Sequence, residues 1–258
     1  MGLYFKFFLQ CLKSQMQYKL SFFLLITGQF FTSFTALIGV YFMFLRFNTV
    51  EGFSYPQVLL CLATVLMGFS LAETFARGFD TFAQMLGNGE FDRALVRPHS
   101  VIFLVLASKM DFSRLGRLVQ AVIVFCYAIP RSGVDWTWAK ALTLALMVLC
   151  GSLMFFALFL IQAAFSFFTV EGLEFMNVFT DGGREFGRYP FSVYGKKILK
   201  LLTYVIPLAL FQYYPLLYLL GREQGALYRF APLLSLLFLL PCYAFFRFGL
   251  RHYKSTGS

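Results

Sequence analysis

Residues 142–165 read "LTLALMVLCGSLMFFALFLIQAAF", apolar on every side of a helix instead of at alternate positions. A strand in a membrane barrel alternates apolar and polar residues, whereas a spanning helix takes roughly 20 consecutive apolar ones. The stretch is therefore helical, and it sits inside a longer apolar run at 139–168. Working outward, further runs of the same kind occupy 20–45, 56–76, 115–130, 198–220 and 231–249. The 258 residues are 59% hydrophobic with 36 Phe and only 13% charged, and the mean hydropathy is +0.72, beyond what a soluble domain carries. The fold class that follows is all-α: a polytopic membrane protein of six transmembrane helices, forming one transmembrane domain over 1–258.

Charge gives the orientation, because Lys and Arg in short loops resist translocation. With the N-terminus in the cytoplasm, most of the 22 Lys and Arg residues fall on that side, and Arg46, Arg131, Lys140, Arg222 and Arg229 remain on the other. Both termini are expected in the cytoplasm, at the plasma membrane. The net charge of +10 thus reports topology. Nucleic acid is not an expected partner, since the basic residues line membrane edges instead of one folded face.

In "LYFKFFLQCLKSQMQYKL", Lys6, Gln10, Lys13, Ser14 and Gln17 share one helical face while Leu3, Tyr4, Phe7, Phe8, Cys11 and Leu12 share the other. Residues 1–19 are expected to form an interfacial helix lying among the headgroups and leading into the first span. A cleaved signal peptide fits less well, because the apolar run that follows is too long and no small-x-small site ends it. The five Cys form no C-x-x-C pair and mostly lie within spans, as small core hydrophobes do.

Catalytic patterns do not emerge. His99 and His252 lie in different segments with no metal-ligand spacing, so no metal site is expected. "YPFSVYGKK" departs from a phosphate-binding loop at Pro190 and Lys197, so no nucleotide cofactor is expected in this chain. Glu73 is the one carboxylate placed within a span, four residues before Arg77. A structural ion pair between them accounts for it better than a proton site.

Two cytoplasmic loops carry the remaining signal. The first, 78–114, contains "GEFDRALVRPHS", in which Phe91, Ala94 and Leu95 share a face and Glu90, Asp92 and Arg93 point elsewhere. Pro98 disfavours helix at Arg97 and ends the phrase. Such a helix either closes the bundle at the membrane surface or docks into a groove on a cytosolic protein. The second loop, 169–197, repeats the scheme: "EGLEFMNVFT" sets Leu173, Phe175, Met176 and Phe179 against Glu171, Glu174 and Asp181. Two such elements on one side favour docking.

Polar and proline positions mark a possible path through the membrane. In the first span Gly28, Thr32, Thr35 and Gly39 recur at helical spacing beside Gln29, Ser33 and Ala36, and Gln162 lies in the fourth. They serve either helix packing or a translocation path lined by Gln29, Thr32, Ser33 and Gln162. In "RYPFSVYGKKILKLLTYVIPLALFQYYPLLYLLG", residues 188–221, Lys196, Lys197 and Lys200 are expected to hold the cytoplasmic end of the fifth span. Pro207 should kink that span, and Pro215 should mark its end, where a re-entrant element begins. Pro207, Gln212, Tyr213, Tyr214 and Pro215 then form either an outer gate, within 207–230, or a kinked packing helix with tyrosine anchors.

These loop phrases and the ordered aromatic, proline and glycine positions of 188–221 resemble the membrane subunits of ABC-2 type transporters over nearly the whole chain. The resemblance implies six spans per subunit, two subunits per transporter, identical or related, and a separate cytosolic ABC ATPase dimer that binds ATP and Mg and drives export. It implies that Glu90–Arg97 form the coupling helix, with Glu90, Phe91, Asp92, Arg93, Leu95, Arg97 and the terminating Pro98 at the contact. Arg184, Glu185, Arg188 and Tyr189 would belong to a second contact. The chain is then expected to be a permease and no enzyme by itself. An ATPase-independent channel or a lipid-modifying enzyme is the alternative, and the latter would need convergent His, Asp or Glu at one membrane edge.

Overall fold

A computed structural model describes residues 2–169 and 174–253, with the backbone alone at 174 and 175. Glu171 and Leu173 of the second loop lie outside the described residues, as do the side chains of Glu174 and Phe175. The chain is 82% helical, and no strand occurs among the described residues, as the unbroken apolar runs require.

The helices are α1 (Gly2–Gln15), α2 (Lys19–Arg46), α3 (Tyr55–Asp80), α4 (Phe82–Gly87), α5 (Glu90–Leu95), α6 (Val101–Ser108) and α7 (Leu115–Arg131). They continue with α8 (Trp138–Phe165), α9 (Glu174–Phe186), α10 (Lys196–Tyr204), α11 (Leu208–Phe211), α12 (Tyr213–Leu219), α13 (Ala226–Ser235) and α14 (Leu239–His252). Their starts follow local chemistry. Ser54 and Gln57 form a reciprocal capping box ahead of α3, with Pro56 in its first turn. The Thr137 hydroxyl accepts from the Lys140 amide to open α8.

Among the described residues, five stretches are long and apolar enough to cross a membrane, Gly2–Arg46, Tyr55–Gly87, Phe112–Arg131, Trp138–Phe165 and Ala226–His252, and a sixth is added if the bent pair Lys196–Tyr204 and Leu208–Leu219 is one span. Within the first, Tyr18 leaves helical geometry at φ −107°, ψ 78° and separates α1 from the span. The α1 helix folds back on the aromatic rings of Phe75, Phe103 and Phe112.

The fifth predicted span is not one helix. The pair α10 and α11–α12 is bent by 89°. Pro207 supplies no amide donor and restricts Ile206 before it, so the helix cannot continue through them. Pro215 does not end a helix either. It stands in the first turn of α12, where a missing amide hydrogen costs nothing.

The bundle is organised around α3, which is buried along most of its length against α7 and α8. One core cluster joins α3, α8, α11 and α14 through Phe69, Phe155, Phe211 and Phe246, and a second joins α3, α7 and α12 through Leu59, Ala121, Phe125 and Leu216. The α2 helix rides outside, burying only Phe22 and Val40. It touches α7 where Gly116 lies against the Ile26 carbonyl, a separation that leaves no room for a Cβ.

Candidate functional site

The α5 helix has a fixed side and a free end. Phe91 is fully buried, with its ring edge-on to Phe82 at 5.0 Å, Phe167 at 5.7 Å and Tyr253 at 5.2 Å. Ala94 is buried beside it. The Tyr253 hydroxyl donates to the Asp92 carboxylate at 3.0 Å, tying α5 to the end of α14. Partial burial and that carboxylate hold the Tyr253 phenol above its ordinary pKa, so it remains a neutral donor. Leu95 shares the apolar face of Phe91 and Ala94 by spacing, yet it is 40% exposed and Val96 is 84% exposed. The helix runs through Leu95, and this apolar pair stands at its end ahead of Arg97 and Pro98, both exposed. Glu90 and Arg93 are exposed on its flank.

The second predicted contact lies elsewhere. Gly187 packs on the methyl groups of Val65, Arg184 covers the Phe69 ring at 4.9 Å, and Arg184, Glu185 and Arg188 line a cleft with Ala36, Leu62 and Leu66. Val65 is ten residues into α3, about 15 Å from its first residue at helical rise. Arg184 and Gly187 therefore sit against the middle of α3, with Glu185 and Arg188 in the same cleft and Tyr189 packed on the neighbouring core. Glycine at 187 permits this insertion, and the charges inside are paired: Arg184 with Asp181 at 3.3 Å and Glu185 at 3.1 Å, and Arg188 with Glu185. Lys196, Lys197 and Lys200 accordingly follow a buried loop and stand exposed on α10, not at the foot of a straight span.

Glu73 is buried, and Arg77 is one of three arginines around it. Arg117 donates to its carboxylate at 2.6 Å, Arg114 approaches to 3.4 Å and Arg77 to 3.5 Å, while Arg77 also pairs with Asp80. Arg114 reaches further, donating to Gln29 at 3.1 Å, so one carboxylate joins α2, α3 and α7. Sequence reading missed Arg114, Arg117 and Gln120, although their i, i+3, i+6 spacing puts them on one side of α7 and the helical turn that leads into it.

The polar stripe of α2 divides. Gln29 and Ser33 face α7, where Ser33 shares a hydrogen bond with Gln120. Thr32 and Thr35 are exposed and bond only to backbone carbonyls of their own helix, with Gly28 and Gly39 open beside them. Gln162 is buried within α8, its amide oxygen unpartnered.

At the broken helix, Pro207, Gln212 and Pro215 are buried. The Gln212 amide donates to the carbonyls of Gly187 at 2.9 Å and Tyr189 at 3.0 Å, which satisfies backbone left unpaired where α9 ends. Tyr213 and Tyr214 are half-buried; Tyr214 lies within 3.2 Å of the Thr203 hydroxyl and packs on Tyr228. Among the described residues, no group of three or more His, Cys, Asp or Glu is placed to hold a metal ion.

A sequence model of the ABC-2 family transporter proteins matches residues 30–257. No curated protein and no solved structure matches the chain. The match runs through every span from α2 to α14, including the loop that carries α5. The chain belongs to the ABC-2 family of transporter proteins and is a permease-type membrane component of a transporter.

Proposed function

We propose that this chain is one transmembrane half of an ATP-driven exporter, paired with a second permease subunit, identical or related, and driven by a cytosolic ABC ATPase dimer. Membership of the family implies an ABC ATPase partner in general. ATP and Mg would be held by that partner, with both termini of this chain in the cytoplasm at the plasma membrane. The observation that carries the reading is α5: its apolar end, Leu95 and Val96, is exposed, while Phe91 is fixed in the aromatic cluster. A free apolar tip on a fixed base suits a groove on another protein.

The cluster gives the tip a mechanical route inward. Phe91 touches Phe82 and Phe167, these touch Phe246 of α14, and Phe246 touches Phe79 of α3. Displacement of α5 by a closing ATPase pair therefore bears on α3 and α14. Coupling requires that the two membrane states differ in affinity for the closed ATPase pair. The exposed face of Gly28, Thr32, Thr35 and Gly39 supports close approach of a second subunit along α2. The broken helix with Pro207, Gln212, Tyr213, Tyr214 and Pro215 would form the gate beneath the outer surface.

Purification from mild detergent tests the reading. The ABC ATPase should co-purify with the wild-type chain, and Leu95→Asp with Val96→Asp should abolish its retention while the elution profile of the permease is unchanged. Equal ATPase retention and equal transport by that variant would remove the docking role of α5.

A further inference from the structure

A cavity of about 500 Å³ opens between α1, α5 and α6. Its volume falls in the range of small-ligand sites. One wall is apolar, made by Phe7, Leu104 and Met110; the other carries Arg93, Arg97 and Lys109, with Glu90 the one acid in the lining. Gln15 fixes the α1 side, accepting from the Phe112 amide at 3.0 Å and donating to the Met110 carbonyl. Among the described residues, Arg77, Arg114, Arg117, Arg184 and Arg188 all have carboxylate partners. Among the described residues no ion pair within 4 Å engages Arg93, Arg97 or Lys109; they converge on one space with Glu90 as the single acid of the lining and Asp80 acting on Lys109 from farther off.

The place of the cavity says what could neutralise them. Its α1 wall leads into the α2 span, and Lys109 stands just ahead of the span that begins at Phe112. The opening therefore lies at the boundary between bilayer and water. A phosphodiester with an acyl stem matches both walls: guanidinium N–H groups suit phosphate oxygens, an ammonium suits them as a point charge, and the apolar wall suits the stem. We propose that this cavity binds the phosphate headgroup of an anionic phospholipid, held by Arg93, Arg97 and Lys109. Because Arg93 belongs to α5 and Arg97 follows it directly, lipid occupancy sets the position of that helix whatever engages its tip.

Native mass spectrometry of the purified chain, without any ATPase, tests this with phosphatidylglycerol, phosphatidylcholine and inorganic phosphate as probes. The triple variant Arg93→Gln, Arg97→Gln, Lys109→Gln is compared with Lys196→Gln, Lys197→Gln, Lys200→Gln, which removes the same charge on α10. Each basic side chain near an anionic surface is worth roughly fivefold in affinity. Retained phosphatidylglycerol should therefore fall by at least about tenfold in the cavity variant and stay near wild type in the control, with unchanged elution profiles. Phosphatidylcholine should be retained weakly by all forms, and millimolar inorganic phosphate should not displace phosphatidylglycerol. Equal phosphatidylglycerol retention by the two variants would overturn the site, as would displacement by free phosphate. Wild-type phosphatidylglycerol retention by the cavity variant, with its ATPase co-purification lost in the detergent experiment above, would assign the cations to a protein partner and so would also overturn it.

Discussion

Arg117 of α7 donates to the Glu73 carboxylate of α3 at 2.6 Å, inside a bundle where both side chains are nearly closed off from solvent. A charge at that depth persists because it is matched, and Glu73 is matched more than once, by Arg117, Arg114 and Arg77. Removing the carboxylate leaves guanidinium groups buried without compensation. Glu73→Gln is expected to destabilise the fold by roughly 3–5 kcal/mol, the usual cost of breaking a buried pair from one side. Arg117→Met should cost more than Arg77→Met, since Arg77 keeps Asp80 as a partner and is more exposed. Thermal unfolding in detergent gives the order; a Glu73→Gln midpoint equal to wild type would contradict it.

Gly116 sets the distance between α7 and α2. A Cβ there would overlap the Ile26 carbonyl, which is backbone and cannot swing aside. Gly116→Leu must push α2 away, at an overpacking cost of about 1–3 kcal/mol or more. It should also break the bonds from Arg114 to Gln29 and between Ser33 and Gln120. Cysteine crosslinking between α2 and α7 reads the separation directly, and an unchanged crosslinking yield in Gly116→Leu would count against this contact.

The base of α5 should behave differently from its tip. Tyr253→Phe removes the hydrogen bond to Asp92 and should release about 0.5–1.5 kcal/mol of local stability. Phe91→Ala empties a fully buried site and should cost about 3–5 kcal/mol. Hydrogen exchange at residues 90–96 should accelerate in both, more in Phe91→Ala. Leu95→Asp should leave exchange there near wild type, because that side chain is exposed and lies outside the aromatic cluster. Protection that is equal in all three would show that the aromatic cluster does not hold α5.

The spans and their class were readable because an apolar run of spanning length has few other solutions in a membrane. The run at 139–168 became α8 within three residues at its C-terminal end. The fifth run was expected to kink at Pro207 and breaks there, and only the size of the bend, 89°, was not legible, because composition reports apolarity and not angle. Spacing put Leu95 on one apolar face with Phe91 and Ala94, and a six-residue helix is too short for periodicity to tell which of the three stay exposed. Arg184, Glu185, Arg188 and Tyr189 were expected at a second cytoplasmic contact because the family resemblance implies one there. Their insertion beside Val65 rests on Gly187, on mutual ion pairing and on Gln212, which is 25 positions from Gly187, while Val65 is farther still; no local pattern encodes such contacts. The same limit hid Tyr253, whose bond to Asp92 crosses 161 positions.

Gln212 closes the broken helix, and its role separates from that of Pro207. Its amide donates to two carbonyls at the end of α9, Gly187 and Tyr189, so Gln212→Leu leaves both acceptors unpaired at membrane depth. An unsatisfied buried polar group costs roughly 1–3 kcal/mol, so this variant should lower the unfolding midpoint and loosen the loop at 187–195. Pro207→Ala acts on the bend instead. It restores an amide hydrogen and relaxes the restriction on Ile206, which lets α10 and α11 approach a straight helix. That variant should keep its assembly and midpoint but alter the export rate once the cargo is in hand, because the 89° angle is what holds Tyr213 and Tyr214 across the bundle. Spin-label distances between α10 and α12 measure the angle without any cargo. An unchanged distance in Pro207→Ala would place the cause of the bend in the tertiary packing around Leu208 and Phe211, and a wild-type export rate with a straightened helix would end the gating role.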